Sequence, residues 1–335
     1  MPSDSRRRFL RTLLGAGTSL GLGGAAWLAH GGRAPHAVTR TGHVLGTEVS
    51  VTALHPSRRV AAGAIAAAME ELVVVDQLMS LYRDDSQLCR LNRFGALADP
   101  HPYLVEVLEA AGWFWDSTGG AFDATVQPLW RLYADASAQG RLPGDDALRA
   151  ALRSVDWRRV DVTRRKIRLA GSDTAVTLNG IAQGFAADRA TAVLRQCGIE
   201  HALVEAGEIS SLGGKTVETG WTVGIRHPRR ADAFVERVSL EGRALASSGD
   251  YATSFSDDHR DNHLFDPRTG RSPQAVASVS VAAATAIEAD GLSTALCVLG
   301  PGRGLALLAE TPAADAMFVF KDGSTLATDG FPTLA

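Results

Sequence analysis

An aspartate and a threonine lie four residues apart in an otherwise apolar segment near the carboxyl end of the chain. Asp290 and Thr294 fall within residues 285–299, whose apolar composition predicts a buried helix. Residues i and i+4 share a helix face, so both side-chain oxygens should project in the same direction. A buried carboxylate is costly unless it is paired or binds a cation, and a carboxylate with a hydroxyl suits Mg²⁺. A solvated helix edge with a threonine bonded to its own backbone would explain the same pattern.

A glycine-containing segment, residues 177–185, is predicted to run from a strand into the start of a helix. Gly180 and Gly184 would let the backbone approach a ligand closely. The free N–H groups of a helix N-terminus favour an anion such as a pyrophosphate. The same glycine spacing is also typical of tight helix packing, and the segment alone does not distinguish the two interpretations.

One histidine precedes a turn of unusual composition. His263 is predicted to lie on a short strand just before residues 266–270, which read Asp-Pro-Arg-Thr-Gly. A histidine that titrates near neutral pH can accept a proton from a hydroxyl nucleophile. The chain has nine histidines, and any one of them taken alone could be structural.

Four more short motifs lie at predicted element ends. Residues 206–208 (Ala-Gly-Glu) and 247–251 (Ser-Ser-Gly-Asp-Tyr) follow predicted strands, whereas residues 79–82 and 119–126 follow predicted helices. Each motif alone is compatible with ordinary turn chemistry. Their order along the chain is more informative than any one of them.

The elements that would position these residues do not alternate regularly between strand and helix. Apolar periodicity predicts helices over residues 61–79, from 101 to about 118, over 180–197 and over 285–299, and the segments 81–93 and 131–146 are predicted to be irregular. Strands are predicted over residues 44–54, 202–204, 221–225, 234–240, 244–246, 277–283 and 316–320, with a strand pair over 159–170. This pattern indicates an α+β fold with mixed or antiparallel sheets and packed helices in one compact domain.

The first 34 residues have the pattern of an export signal. Residues 5–11 match the twin-arginine consensus, and a glycine-rich apolar run from 13 to 28 is too interrupted for a stable membrane span. We predict a signal peptide over residues 1–34 and a domain over 35–335. A basic tail before a helix is the alternative. The expected location is the periplasm, and an uncleaved signal would tether the protein to the membrane.

Composition excludes several classes of protein. The 335 residues are 45% hydrophobic and carry a net charge of −3, which does not indicate a nucleic-acid-binding protein. Three well-separated cysteines exclude a disulfide scaffold and argue against a cysteine-based metal site.

Taken in order, these motifs resemble the ApbE family over roughly residues 40 to 320. The matching segments are Met79-Ser80-x-Tyr82, Leu91-Asn92-Arg93, residues 119–123, residues 178–184, Gly207-Glu208, residues 248–251, His263 with residues 266–270, and Asp290-x-x-x-Thr294-Ala295. The resemblance implies a compact, T-fold-like α+β domain that holds FAD in a cleft with Mg²⁺, or Mn²⁺, at its pyrophosphate. It implies an enzyme that transfers FMN from FAD to a threonine or serine of an acceptor redox protein and releases AMP.

The resemblance also assigns roles to residues of this chain. Asp290, Thr294 and the carbonyl of Gly180 would hold the metal, and His263 would help to deprotonate the acceptor hydroxyl. The expected FAD contacts are Met79, Tyr82, Ala121, Phe122, Asp123, Thr177, Gln183 and Ser248. Two alternatives remain open: an FAD pyrophosphatase that gives FMN and AMP, and a flavin-binding protein with little turnover.

Four positions depart from the family pattern. The family usually has an aspartate where Thr177 stands and a lysine where Gln183 stands. A glycine is usual at Ala206 and a threonine at Ser247. Losing the acid and the base together keeps the local charge balanced but removes a cation near the dinucleotide. We therefore expect weaker or altered FAD binding with the metal and histidine core intact.

Overall fold

The computed structural model describes residues 35–216 and 218–334, so the predicted signal segment lies outside the described residues. In chain order the strands and helices are β1 (His36–Val44), β2 (Thr47–His55), α1 (Arg58–Met79), α2 (Gln87–Phe94), β3 (Ala96–Ala98), α3 (Pro102–Ser117), α4 (Gln127–Ser137), α5 (Asp145–Leu152), β4 (Val160–Val162), β5 (Lys166–Leu169), α6 (Ala182–Gln196), β6 (His201–Glu205), β7 (Ile209–Leu212), β8 (Trp221–Arg226), β9 (Phe234–Leu240), β10 (Ala244–Gly249), β11 (Val276–Ala283), α7 (Ala286–Ala309), β12 (Asp315–Phe320) and β13 (Thr325–Ala327).

One antiparallel sheet organises most of these elements. Its eight strands run in the order β1-β2-β6-β7-β10-β11-β12-β13. Helices α1, α6 and α7 pack on one face, where α7 lies over β10 and β11. Successive residues of a strand point to opposite faces. Ala244 and Ala246 therefore face the helices, while Leu245 between them joins a second apolar cluster.

The β8–β9 hairpin covers the other face of the sheet. Trp221, Val223 and Leu240 from the hairpin pack with Leu245 and Met317 of the sheet. The central strands β10, β11 and β12 are thus apolar on both sides. This accounts for the fully buried sequence of β11, which has almost no polar alternation.

Helix α7 carries Asp290 and Thr294. It begins with a capping box, in which Thr285 accepts the N–H of Glu288 and Glu288 reaches back to the backbone of Thr285. Gly300 and Pro301 kink it, and it continues to Ala309. The helix is long and apolar enough to cross a membrane by composition alone. It nevertheless packs against two strands of the core and carries a buried carboxylate.

The predicted α+β architecture is confirmed, and several local predictions are wrong. Residues 44–54 are not one strand, because Leu45 and Gly46 form the turn between β1 and β2. The segments expected to be irregular contain α2, most of α4 and the start of α5, whose polar faces hid their periodicity. Thr177 and His263 lie in loops and not on strands.

Candidate functional site

A cleft opens where seven sequence-distant segments meet beside the large sheet. Its inner lobe is bounded by the start of α6, the end of β10 and one face of α7. Of the predicted site residues, this lobe contains Ala121, Phe122, Asp123, Thr177, Gly180, Gln183, Ser248, His263, Asp290 and Thr294. Met79 and Tyr82 line an adjoining lobe, which also contains Gln183 and His263. The cleft therefore brings all twelve predicted residues together.

The candidate metal ligands form one corner of the inner lobe. Gly180 lies so close to Thr294 that a Cβ atom on it would fall 2.8 Å from the Thr294 hydroxyl. That hydroxyl is 3.1 Å from Ser248 Oγ, which is also 2.7 Å from Ser293 Oγ. Asp290 lies one turn earlier on the same face of α7 and lines the same lobe. A carboxylate and hydroxyls therefore line this corner beside the backbone of Gly180.

Asp290 is held by the first turn of the neighbouring helix. Its Oδ2 accepts the backbone N–H of Gly184 at 3.0 Å. Reciprocally, Asp188 of α6 accepts the N–H groups of Ala286 and Ile287 at 2.8 and 2.9 Å. Each helix thus caps the other with an aspartate. The positive end of each helix dipole favours a negatively charged carboxylate at that position. Gly184 makes this approach possible, because a Cβ there would lie 2.3 Å from the Ala286 carbonyl oxygen.

The inner lobe is acidic, and its aspartates are buried. Burial raises the pKa of Asp290 to about 7, although the Gly184 N–H opposes the shift. Burial also raises the pKa of Glu208 well above its ordinary value, with a further contribution from Asp290, while the Ser247 N–H opposes it. Among the described residues lining this lobe there is no lysine or arginine. An anionic ligand would therefore need a cation to accompany it, and the hard oxygen donors fit Mg²⁺ or a similar divalent ion.

Gln183 stands at the centre of the cleft. Gly207, at φ +93°, lies beneath it, and a Cβ on Gly207 would meet the Gln183 amide at 2.4 Å. The position requires glycine both for its backbone conformation and for this contact. Gln183 lines both the inner and the adjoining lobe, so it separates the Asp290 corner from the Met79 side.

His263 faces the same junction from the loop that follows β10. Its backbone N–H donates to the Thr253 carbonyl at 3.0 Å, and its Nδ1 lies 3.3 Å from the same oxygen. A carbonyl can only accept, so a hydrogen bond there requires the proton on Nδ1 and leaves Nε2 as the acceptor. Nearby, the Ser272 hydroxyl holds the loop. It accepts the Asn262 N–H at 2.9 Å and donates to the Asn262 carbonyl at 2.8 Å.

Asp123 lines the lobe but uses its carboxylate for structure. Its Oδ1 accepts the N–H of Thr125 at 2.7 Å, and its Oδ2 accepts the N–H of Trp157 at 3.2 Å. Burial raises its pKa, and the bonds from Thr125 and Trp157 oppose the shift. Thr177 is anchored by its backbone N–H to Ala124 at 2.8 Å, so these segments form one wall.

The adjoining lobe lies between the β1–β2 turn and the end of α1. Met79 is buried at its floor, whereas Tyr82 is 55% exposed at its mouth. Gly46, at φ +75°, packs against the Tyr82 ring, where a Cβ would fall 2.9 Å from the ring edge. An exposed aromatic ring beside a narrow cleft is available to stack on a flat ligand.

An outer lobe extends from Tyr82 toward α2. It is lined by polar and charged side chains together with Trp130, and it shares Asn179 with the other two lobes. Asn92 of the Leu91-Asn92-Arg93 motif has a structural role. Its amide donates to the Val176 carbonyl at 2.8 Å and accepts the Val176 N–H at 2.7 Å, fixing the chain just before Thr177.

Glu208, Asn179 and Trp130 line the cleft although the sequence analysis did not select them as site residues. Glu208 and Asn179 lay inside recognised motifs, so their positions could have been inferred. Trp130 lies on a helix that was not predicted, and no signal in the sequence placed it here.

Comparison with known proteins agrees with this geometry. The sequence model described as the ApbE family matches residues 45–318. The chain is 34% identical over 299 residues to a protein from Treponema pallidum named FAD:protein FMN transferase, covering 80% of this chain and 81% of that protein. It is 31% identical over 314 residues to a protein of the same name from Salmonella typhimurium, covering 89% and 87%.

Solved structures have the same fold. The crystal structure of the ApbE protein from Thermotoga maritima superposes with a TM-score of 0.79 at 27% identity, covering 88% of this chain and 97% of that one. The apo form of the flavinyl transferase ApbE from Pseudomonas stutzeri gives a TM-score of 0.76 at 30% identity, covering 88% and 96%.

Proposed function

Because the chain belongs to the ApbE family, we propose that it transfers FMN from FAD to a threonine or serine hydroxyl of an acceptor protein and releases AMP. In this reaction the acceptor oxygen forms a bond to the FMN-side phosphorus. The bond from that phosphorus to the bridging oxygen breaks, and AMP leaves with that oxygen. FMN remains attached to the acceptor through a phosphoester.

The observation that carries the proposal is the charge of the inner lobe. A pyrophosphate brings negative charge into a space already lined by Asp290 and Glu208 and without a lysine or arginine among its described residues. Asp290, Thr294 and the Gly180 carbonyl are the residues that would hold a magnesium ion beside it. Bound there, the ion would supply neutralisation of the phosphate charge. The family-usual lysine is replaced by Gln183, which makes this chain more dependent on the ion.

His263 supplies the proton acceptor. With Nδ1–H directed at the Thr253 carbonyl, Nε2 is the ring nitrogen that takes the proton from the acceptor hydroxyl. Gln183 and Asn179 border the space between His263 and the Asp290 corner, where the pyrophosphate would lie. Met79 and Tyr82 offer an apolar and an aromatic surface for a flat ring of FAD. The backbone N–H of Ser247 donates to the Glu208 carboxylate, so Ser247 stabilises the wall of the inner lobe.

The twin-arginine pattern of residues 5–11 supports export, and we place the reaction in the periplasm. The acceptor is then a redox protein whose threonine or serine is exposed on that side of the membrane. Covalent attachment would prevent the loss of a flavin that is otherwise free to diffuse away.

The test combines the chain with FAD, Mg²⁺ and an acceptor domain from a flavin-carrying redox protein. Intact mass reports FMN on the acceptor, and chromatography reports AMP. We expect both products in equal amounts, and His263→Gln should slow transfer by about 10²- to 10⁴-fold while FAD still binds. AMP without labelled acceptor would favour the pyrophosphatase alternative, and unchanged transfer in His263→Gln would remove the assigned role of the histidine.

A further inference from the structure

A strongly basic segment lies outside the cleft in a chain that is acidic overall. Residues 156–170 contain six lysines and arginines and two aspartates, whereas the whole chain has a net charge of −3. The segment comprises a short helical turn (Trp157–Arg159), β4 and β5. Its function is not explained by any step of the proposed reaction.

The small sheet β3-β5-β4 turns these charges outward. Leu97, Ile167 and Leu169 form its buried face. Lys166 and Arg168 alternate with them and therefore point away from the core. Arg168 lies opposite Ala96 on β3 and opposite Asp161 on β4, and these three residues together with Lys166 line a groove.

Most of these charges lack a counter-ion on the protein itself. Elsewhere on the surface, Arg149, Arg243 and Arg271 each pair with an aspartate. Arg158 pairs with Asp156. By contrast, the other five cations of the segment make no ion pair with any residue in 35–216 or 218–334. Arg159 donates to the Ala170 carbonyl at 3.4 Å, and the remaining four form one set: Arg164, Arg165, Lys166 and Arg168. We name this set, with the groove beside it, the basic face.

The basic face continues toward the mouth of the cleft. Helix α2 lies between them: Arg93 near its end lines the outer lobe, and Gly95 and Ala96 immediately after it line the groove of the basic face. Phe94 is 69% exposed between these two surfaces. A second arginine of the outer lobe, Arg131, extends the positive charge into the cleft mouth. A protein that inserts a hydroxyl through the outer lobe would therefore also cover this face.

We infer that the basic face docks an acidic surface of the acceptor protein while its threonine or serine enters the cleft. This inference rests on the proposed function and names the kind of acceptor that fits. Unpaired cations around an exposed aromatic ring are typical of a protein-binding surface, where complementary charge accelerates encounter. The groove favours a protein over a membrane, because side chains can enter a concave surface that a flat bilayer cannot follow.

The experiment compares two acceptor fusions that share one threonine segment and differ only in a flanking run of glutamates or glutamines. The test variant replaces all four cations of the basic face by glutamine. A matched control removes the same charge from exposed arginines elsewhere, at Arg58, Arg59, Arg195 and Arg237. At low ionic strength we expect kcat/KM for the glutamate fusion to fall at least about tenfold in the test variant. The control variant should keep the wild-type value, and FAD affinity should not change in either.

Salt and binding measurements separate the remaining outcomes. The preference for the glutamate fusion should disappear near 1 M salt, where the Debye length is about 3 Å. Fluorescence anisotropy of the labelled fusions reads docking even if no FMN is transferred, so failure of the proposed function is distinguishable from failure of this inference. Equal affinity for both fusions would overturn it. The inference would also be overturned if phosphatidylglycerol vesicles bound wild type but not the test variant while neither fusion was preferred over the other.

Discussion

At the scale of single residues, the site depends on acids kept in a poorly solvated place. Asp290 accepts one backbone N–H, and Glu208 accepts another from Ser247, but no cationic side chain of the described lobe neutralises either. Such groups are usually retained for function and reduce the stability of the empty protein. The cost should therefore be measurable when the metal is withheld.

We predict that Asp290→Asn stabilises the metal-free protein at pH 8 while abolishing Mg²⁺-dependent activity. The pKa of Asp290 is raised to about 7, so the folded protein holds its proton between about pH 4 and pH 7 while the unfolded chain has lost it. Stability from this group is therefore present at low pH and is lost as the pH rises through about 7. Denaturant unfolding in EDTA should show a gain of about 1–3 kcal/mol for the variant at pH 8 and a smaller difference at pH 5.

Glu208 shifts in the same direction, and the Asp290 charge contributes to its raised pKa, so removing that charge should add to the gain at pH 8. Adding Mg²⁺ should raise the stability of wild type and leave Asp290→Asn unchanged. A variant less stable than wild type at pH 8 would contradict the assignment of a destabilising, metal-ready carboxylate.

A second residue-scale prediction concerns the missing lysine. Thr177→Asp with Gln183→Lys restores the charges usual in the family, and a cation beside the pyrophosphate should tighten FAD binding about fivefold to tenfold. The control is Gln196→Lys, which adds a lysine outside the cleft, at the exposed end of the same helix. Flavin fluorescence titration measures both, and equal affinity in wild type and the double variant would show that Gln183 is not the reason for weak binding.

At the scale of elements, the corner of the site exists because α6 and α7 approach closely. Gly184→Ala would place a Cβ 2.3 Å from the Ala286 carbonyl oxygen and 2.8 Å from Asp290 Cβ. We expect it to cost about 3 kcal/mol of folding stability and to weaken Mg²⁺ activation, since Asp290 must move with the helix. Thermal unfolding and the Mg²⁺ dependence of AMP release check the two effects.

Gly63→Ala is the matched control, because it lies within α1 with no atom near the added methyl group. It should leave activity intact and raise stability by about 0.5–1 kcal/mol. If Gly184→Ala behaved like Gly63→Ala, the reciprocal capping of the two helices would not be what fixes the metal corner.

The same scale explains how far the sequence alone could go. The apolar period of α1, α3 and α7 is strong, and Gly198 ends α6 as glycine at a helix end should, so these elements were predictable. Helix α2 was not predictable from its apolar pattern. Ser86 forms its N-cap, and the polar Asn92 within it bonds to Val176, which lies 84 residues away in the sequence. The position of Trp130 in the cleft could not be predicted for the same reason, because it depends on how the helices pack, and no local sequence pattern contains that information.

At the scale of the whole molecule, an ion pair connects the two sides of the large sheet. Asp250 begins the loop that carries His263 and is buried. Arg229, in the turn between β8 and β9, binds it through two contacts of 2.7 and 2.8 Å, and Lys321 lies 3.6 Å away. The hairpin on one face thereby anchors the loop that carries His263, which reaches the cleft on the other.

Arg229→Ala should therefore affect catalysis from a distance. Removing one partner leaves Asp250 buried, with Lys321 as its remaining ion-pair partner in residues 35–216 and 218–334. We expect a loss of about 2–3 kcal/mol in stability, below the usual range for a fully buried pair because Arg229 is 30% exposed. The loosened loop should lower kcat for FMN transfer more than it lowers FAD affinity, since Met79 and Tyr82 lie on another segment.

The control is Arg230→Ala. Arg230 is the exposed neighbour of Arg229 and forms no ion pair with the described residues, so this variant should leave stability and kcat unchanged. Because a purely structural role would reduce activity only in proportion to the unfolded fraction, a kcat loss measured well below the melting temperature would identify the ion pair as the support of His263. An unchanged kcat there would restrict its role to folding.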